Sequence, residues 1–195
     1  AVFRGYQAMA ITDHGDMSNI DFIVPRVVLA CRLLSEANGI RVIPGIELTH
    51  VPPKYIAELA REARRLGARI VVVHGETLVE PVVPGTNTAA LKADIDILAH
   101  PGLISEDDTK LAKKNGVFLE ITARKGHSLT NGHVAKMARK YKVPLVLNTD
   151  SHSPGDLIDD AMAEAVIRGA GMDAKETETV LENARMLVDR IWAGK

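Results

Sequence analysis

The sequence predicts an α/β fold in which helices cover a parallel sheet. Short, continuously apolar runs alternate with longer amphipathic runs along the chain, giving six successive strand-then-helix units. Strands that are apolar at every position are typical of parallel sheets buried on both faces. The pattern fits an open doubly wound sheet or a barrel, within a single domain spanning residues 1–195.

The six apolar runs are predicted to be strands, and the amphipathic runs between and after them are predicted to be helices. The strands cover residues 8–12, 40–48, 69–74, 95–99, 117–121 and 145–147. The helices cover residues 25–37, 53–66, 87–93, 106–114, 131–141, 156–168 and 173–193. Pro53 at a first helical turn, with Gly39 and Gly67 just past helix ends, is the expected punctuation.

The start of the chain favours the barrel over the open sheet. Residues 1–6 have the pattern of a helix tail that ends at Gly5 and leads straight into a strand. We therefore expect one strand–helix unit to be missing before Ala1. Restoring it gives about seven strands, which suits a small (β/α) barrel.

Composition excludes several classes of protein. The net charge of -1 predicts neither a nucleic-acid partner nor an anionic membrane surface. The longest apolar runs, such as residues 70–73, are far too short to span a bilayer, and no signal-peptide pattern opens the chain. The single cysteine, Cys31, lies in an apolar helical context, so we expect a core residue in a cytoplasmic protein.

Potential metal ligands collect at the C-terminal ends of the predicted strands. Four of the seven histidines fall there, with two carboxylates at equivalent positions. These six residues are His14, Glu47, His74, His100, Asp150 and His152. Because the C-terminal ends of parallel strands share one rim, their side chains should gather there as nitrogen and oxygen ligands for Zn, Mn or Fe.

The remaining histidines and nearby carboxylates have more open roles. His50 is expected to be exposed, and His133 opens a helix. His127 lies on a rim loop, where it could contact a substrate. Asp13 and Glu120 could orient imidazoles, although Glu120 could equally be an interior barrel residue.

As an ordered set, the strand-end motifs resemble those of the PHP (polymerase and histidinol phosphatase) domain family. The motifs are Ile11-Thr12-Asp13-His14, Gly45-Ile46-Glu47, His74-Gly75-Glu76, Ala99-His100-Pro101-Gly102 and Asp150-Ser151-His152. The chain looks most similar to the stand-alone phosphatase-like branch with a trinuclear site. Gly85-Thr86-Asn87-Thr88 and Leu119-Glu120-Ile121 strengthen that likeness.

The resemblance implies a distorted (β/α)7 TIM-like barrel whose rim holds up to three divalent ions. Glu47 would bridge two metals, one of them also bound by His74 and His100. Asp150 would belong to the second metal, and His14 with His152 to the third. The family's first strand normally supplies a His-x-His pair, which does not occur in this sequence before the first predicted strand.

The implied activity is hydrolysis of a small phosphomonoester, similar to histidinol phosphate, by a metal-activated hydroxide. Arg124 and Lys125 could hold the phosphate, or could simply be part of a solvated loop. Asp13 or Glu120 is a candidate proton shuttle. The expected partner is a small phosphorylated substrate, with neither a membrane nor nucleic acid.

Three alternatives stay open. Without the first-strand ligands, the chain could be a non-catalytic barrel that binds a metal or a partner. A nuclease-type PHP domain is less favoured because no basic groove is evident. An amidohydrolase barrel uses related ligands, but no lysine suited to carboxylation stands at a strand end.

Overall fold

A computed structural model describes residues 1–194 of the chain. Its strands are β1 (Ala8–Ile11), β2 (His14–Gly15), β3 (Arg41–Leu48), β4 (Ile70–His74), β5 (Ile97–Ala99), β6 (Phe118–Thr122) and β7 (Leu145–Asn148). Its α-helices are α1 (Ile20–Asn38), α2 (Pro53–Leu66), α3 (Thr86–Leu91), α4 (Glu106–Asn115), α5 (Asn131–Tyr141), α6 (Asp160–Gly169) and α7 (Ala174–Trp192).

The strands form one curled parallel sheet. They follow the order β1-β3-β4-β5-β6-β7, and β2 pairs with β3 beyond the end of β1. Within residues 1–194, no ladder joins β1 to β7, so the sheet is a half-barrel with helices on its flanks. This architecture is consistent with a distorted TIM-like barrel, which confirms the predicted fold class.

Local signals account for several helix boundaries. The Ser105 side chain accepts a hydrogen bond from the backbone of Asp108 at the start of α4. Gly116 ends the same helix in the left-handed conformation. Pro53 and Gly67 bound α2 as the sequence predicts. The ends of these two helices therefore follow from residues next to them in the chain.

Three elements differ from the prediction. The first helix begins at Ile20 rather than at Pro25, which lies inside it. The buried side chains of Ile20 and Val24 pack in the core, and this packing offsets the single hydrogen bond that the proline removes. The predicted helix over 156–168 begins only at Asp160, after a 3-10 turn. The two-residue strand β2 was not predicted, because its hydrogen-bonded partners are distant in sequence.

The concave face of the sheet has two layers. An apolar layer, which includes Ile43, Val72 and Phe118, packs against Leu187 and Ile191 of α7. Because side chains alternate along a strand, Glu47, His74 and Glu120 share the face of these apolar residues, nearer the C-terminal ends of their strands. The sheet therefore has polar groups at the rim formed by its C-terminal strand ends and an apolar layer next to them, packed against α7.

The cysteine and the helices agree with what the composition predicts. Cys31 is 1% exposed, as expected of a core residue, and burial raises the pKa of its thiol to about 11. Among the described helices, none combines the length and the apolar character needed to cross a membrane.

Candidate metal centre

The ends of neighbouring strands bring four predicted ligands to one place. Parallel pairing of β2 with β3 sets His14 opposite Glu47. His74 is the last residue of β4, and His100 directly follows β5. The strand register therefore gathers these side chains at the C-terminal rim, as the motif spacing predicted.

Glu47, His74 and His100 present three converging donor atoms. Glu47 Oε1 lies 3.2 Å from His74 Nδ1 and 3.7 Å from His100 Nε2, and the two nitrogens are 3.0 Å apart. All three residues are buried. Tetrahedral ligands bonded at about 2.0–2.1 Å lie about 3.3 Å from one another. The donors are therefore spaced like ligands of one divalent cation.

The far side of each ring meets an acceptor. His100 Nδ1 donates to Glu120 Oε2 at 3.0 Å, and His74 Nε2 donates to the backbone carbonyl of Glu80 at 3.2 Å. The facing nitrogens of the neutral rings therefore carry lone pairs. Two lone pairs and a carboxylate oxygen at these distances would be satisfied by a cation between them, so the residues present fit a metal ion.

The electrostatics of the centre are dominated by buried carboxylates. Burial opposes ionisation of Glu47, but when no metal is bound and the imidazoles carry protons, a hydrogen bond from His74 and the imidazole charges outweigh burial and lower the pKa of Glu47. Burial disfavours the charged form of His100, yet its hydrogen bond to Glu120 raises the pKa above the usual value. Burial raises the pKa of Asp150, and the Glu47 charge adds to this. Such a site favours a bound positive charge.

The other three predicted ligands lie around this core without completing a second site. Asp150 Oδ1 is 3.5 Å from His152 Nδ1, and the rings of His14 and His152 have centroids 5.6 Å apart. In residues 1–194, the only three donors within 4.8 Å of one another are those of Glu47, His74 and His100. Asp150, His14 and His152 are therefore neighbours of the centre.

The predicted substrate-binding residues lie in three different environments. His127 is buried, and its ring stacks on His100 with centroids 4.2 Å apart. Arg124 donates to Asp156 at 3.4 Å and lies 3.9 Å from Asp150. Lys125 is exposed. Arg124 thus brings a guanidinium close to the centre, whereas His127 packs against the ring of His100.

The two candidate catalytic carboxylates also differ in placement. Glu120 is buried, and its two oxygens accept hydrogen bonds from His100 and Asn148. Asp13 is exposed next to His14, and its backbone carbonyl accepts the Glu47 N–H. Glu120 therefore orients an imidazole, in keeping with one of its predicted roles, while the Asp13 side chain faces solvent.

Sequence reasoning missed two residues of the rim. His50, expected to be exposed, is exposed, but its ring lies 6.0 Å from that of His74. Glu80 lies in the loop after β4 and reaches the centre through its backbone carbonyl. His50 follows Glu47 by three residues, which is a usable signal. Nothing local marks Glu80, because only the fold of its loop brings it back.

The loops after β4 and β5 approach each other closely at two motif glycines. A Cβ added at Gly75 would overlap the carbonyl of Ala99, and one at Gly102 would overlap that of Glu76. Gly102 also has a φ of 64°, which side chains disfavour. The glycines of the His-Gly-Glu and His-Pro-Gly motifs therefore allow the two ligand loops to pack together.

Comparison with known proteins finds relatives along most of the chain, although no family model matches. The uncharacterized protein MJ1295 of Methanocaldococcus jannaschii is 48% identical over 189 residues, covering 95% of this chain and 87% of that protein. Ribonuclease P protein component 3 of Methanosarcina mazei is 28% identical, covering 88% of this chain and 72% of that protein.

More distant relatives include hydrolytic enzymes. A probable phosphatase of Shewanella pealeana is 28% identical, covering 87% of this chain and 75% of that protein. The DNA polymerase/3'-5' exonuclease PolX of Bacillus subtilis is also 28% identical, but the match spans only 35% of its length. These names are consistent with a PHP-like family.

The fold has a counterpart among solved structures. A chain in the cryo-EM structure of archaeal ribonuclease P with mature tRNA superposes with a TM-score of 0.78 at 19% identity. The match covers 95% of this chain and 82% of that chain, which shows a shared fold. Together with the 48% identity to MJ1295 over nearly all of the chain, the comparisons place this protein: it belongs to the family of the Methanocaldococcus jannaschii protein MJ1295.

Proposed function

We propose that this chain is a metal-dependent phosphoesterase of the stand-alone PHP phosphatase type, acting on a small phosphomonoester. One observation carries the proposal: three buried donors of Glu47, His74 and His100 converge, with both rings held by acceptors on their far sides. Relatives named as probable phosphatases support the same interpretation.

Glu47, His74 and His100 would hold one divalent ion, which could be Zn, Mn or Fe. Asp150, His14 and His152 would serve up to two further ions. Bound ions of this kind supply Lewis acidity to phosphate oxygens and acidify water. Glu120 keeps His100 in the tautomer with its bare nitrogen facing Glu47.

Arg124 is the residue that would orient the substrate phosphate. Its guanidinium is partly exposed and lies between Asp150 and Asp156. A guanidinium can bind two phosphate oxygens at once, which fixes the phosphorus relative to the centre. The neighbouring Lys125 is exposed and adds a second positive charge to this loop, and His127 holds the ring of His100 rather than reaching the solvent.

The test is a phosphatase assay on protein stripped with a chelator and then reloaded with Mn or Zn. We expect turnover of p-nitrophenyl phosphate and histidinol phosphate only in the reloaded protein, and its loss in Glu47→Gln. Glu178→Gln, on the exposed face of α7, is the matched control. Absence of turnover in protein with its metal content verified by elemental analysis would rule the proposal out.

An RNA-processing role is the second candidate. It is favoured by the likeness to ribonuclease P protein component 3 over 88% of this chain. Such a role depends on electrostatic contact with phosphates and weakens steeply with salt. Salt-dependent binding of a precursor tRNA that survives Glu47→Gln, without phosphatase activity, would favour it over the phosphoesterase.

A further inference from the structure

An open hollow adjoins the metal centre. Its volume is about 300 Å³. The residues that line it are His14, Gly15, Asp16, Asn19, Thr49, His50 and Glu80. A space of this size is at the lower end of small-molecule pockets and suits a compact group rather than a polymer.

Several groups that line the hollow can accept hydrogen bonds. Thr49 Oγ1 is 3.3 Å from the Glu47 carbonyl, to which it donates, and 2.5 Å from His14 Nδ1, from which it accepts. His14 Nδ1 is thus already hydrogen-bonded, which leaves Nε2 as the ring atom that a metal ion could take. One Asp16 oxygen accepts the N–H and hydroxyl of Ser18, both at 2.6 Å. In the described part of the chain, no hydrogen bond occupies the second oxygen of the Asp16 carboxylate.

Glu80 adds a second carboxylate to the lining, on a loop whose backbone is held in place. Its backbone carbonyl accepts the His74 Nε2–H, and Thr77 in the same loop lies 2.8 Å from His127 Nδ1 through its hydroxyl. The Glu80 carboxylate is 3.8 Å from His127 Nε2, beyond hydrogen-bond distance, and its side chain is 56% exposed. The loop is anchored at two points, and Glu80 is one of the residues that line the hollow.

The positively charged side chain near the centre, Arg124, is not among the residues that line the hollow. In the part of the chain that the structure describes, no lysine or arginine lines the hollow. The guanidinium of Arg124 lies beyond Asp150, which separates it from His127 and Glu80. The site therefore has one side suited to phosphate and another suited to groups that donate hydrogen bonds.

We propose that the hollow receives the alcohol half of the phosphomonoester and that Glu80, with Asp16, selects for an alcohol that donates hydrogen bonds and carries no negative charge. This rests on the proposed phosphoesterase function. Carboxylates repel a second anionic group and accept hydrogen bonds from hydroxyls. Phosphates of compact polyols or amino alcohols fit, whereas substrates with a second anionic group and nucleic-acid strands are repelled from this pocket.

A matched pair of substrates tests the proposal. Glycerol 3-phosphate and 3-phosphoglycerate have nearly the same size, but the second replaces a hydroxymethyl group by a carboxylate. We expect the metal-loaded wild type to favour glycerol 3-phosphate in kcat/KM by roughly tenfold or more. Glu80→Gln should reduce this preference, and Glu80→Lys should reverse it, with Glu178→Lys as the control for added positive charge.

Two further readouts separate this role from structural damage. Because Glu80 contacts His74 through its backbone, both substitutions should leave metal content and thermal stability unchanged. Calorimetric binding of the corresponding phosphonates should follow the same order without turnover. Loss of a metal ion in Glu80→Gln would instead make Glu80 a ligand and overturn the proposal.

The outcomes distinguish a failure of the specificity proposal from a failure of the function on which it rests. If the wild type hydrolyses p-nitrophenyl phosphate but treats the matched pair alike, the specificity proposal is wrong and the phosphoesterase function stands. An unchanged substrate ratio in Glu80→Lys leads to the same conclusion. If no phosphomonoester is hydrolysed by metal-loaded protein, the function itself fails, and the specificity proposal fails with it.

Discussion

At the scale of single residues, the centre depends on carboxylates that do not all play the same part. Glu47 faces the two imidazoles, whereas Glu120 lies behind one of them. One oxygen of Glu120 accepts both the backbone N–H and the Nδ1–H of His100, and the other accepts the Asn148 amide. Glu120 therefore fixes both the backbone and the ring of His100.

Substituting Glu120 should weaken metal binding without removing a ligand. In Glu120→Gln only one acceptor oxygen remains, so the neutral amide cannot accept from both His100 and Asn148 and holds the His100 ring less firmly in one tautomer. We expect metal affinity to fall by about 10–100-fold. Calorimetric titration of the stripped protein measures this, and Glu58→Gln on α2 is an exposed control. Equal affinities in the wild type and Glu120→Gln would contradict the role.

Backbone strain at single residues also marks the rim. Among the residues described, four that are not glycine have a positive φ: His50, His100, Asp150 and Lys142. Lys142 caps α5, but the other three belong to the centre or its edge. Such conformations cost about 1–3 kcal/mol each and persist only where surrounding contacts enforce them. Sequence motifs identified His100 and Asp150, whereas the conformation of His50 could not be predicted from its neighbours.

At the scale of secondary-structure elements, the Glu176 side chain of α7 links this helix to α5 through an ion pair. Glu176 accepts two hydrogen bonds from Arg139 of α5, at 2.6 and 2.8 Å, and caps its own helix by accepting the Asp173 N–H at 2.9 Å. These contacts, with the Arg139 guanidinium the largest cause, lower the pKa of Glu176 to about 2.

This depressed pKa predicts how stability depends on pH. Because the folded pKa lies below the unfolded one, the ionised Glu176 stabilises the fold above pH 4.5, and this contribution is lost as the pH falls towards 2. For a partly exposed pair we expect about 1 kcal/mol at neutral pH. Urea denaturation of stripped protein should show Glu176→Gln destabilised at pH 7 and equal to wild type near pH 2.

Glu182→Gln is the control for this comparison, because its Arg185 partner lies on the same exposed turn of α7. It should match the wild type at every pH within about 0.5 kcal/mol. A difference between Glu176→Gln and wild type that stays constant from pH 7 to 2 would exclude the ionised pair as its cause.

The elements themselves were largely predictable, and their boundaries less so. Apolar runs located all six long strands because burial on both faces leaves a continuous signal. Pro53 and Gly67 gave the correct bounds of α2. Pro25 gave the wrong start for α1, because packing of Ile20 in the core extends this helix to the N-terminal side of the proline. The contact of the Glu80 carbonyl with His74 could not be predicted from local sequence patterns, because it depends on how the loop after β4 folds back.

At the scale of the whole molecule, the residues that stabilise the half-barrel and the residues of the candidate metal site lie in different regions. Its concave face is apolar where α7 packs, through Leu187 and Ile191, and polar at the C-terminal rim. The apolar layer buries surface that stabilises the fold without a metal. The rim carries Glu47 and His100, whose buried donors face one another. The apo protein should therefore fold, while its rim remains electrostatically unfavourable.

Metal removal should consequently lower the stability of the whole chain by a definite amount. A ligand present at 100 times its Kd stabilises the folded state by about 2.7 kcal/mol. For a chain of this length, that corresponds to a rise in Tm of roughly 5–10 °C. Scanning calorimetry of stripped protein, with and without added Zn or Mn, measures the shift. In Glu47→Gln the rise in Tm on adding metal should be smaller, because one of the three buried donors loses its charge. Glu178→Gln should show the full rise in Tm.

A Tm that rises equally in wild type and Glu47→Gln would mean that the ions bind elsewhere, and that the three facing donors are held together by protons instead.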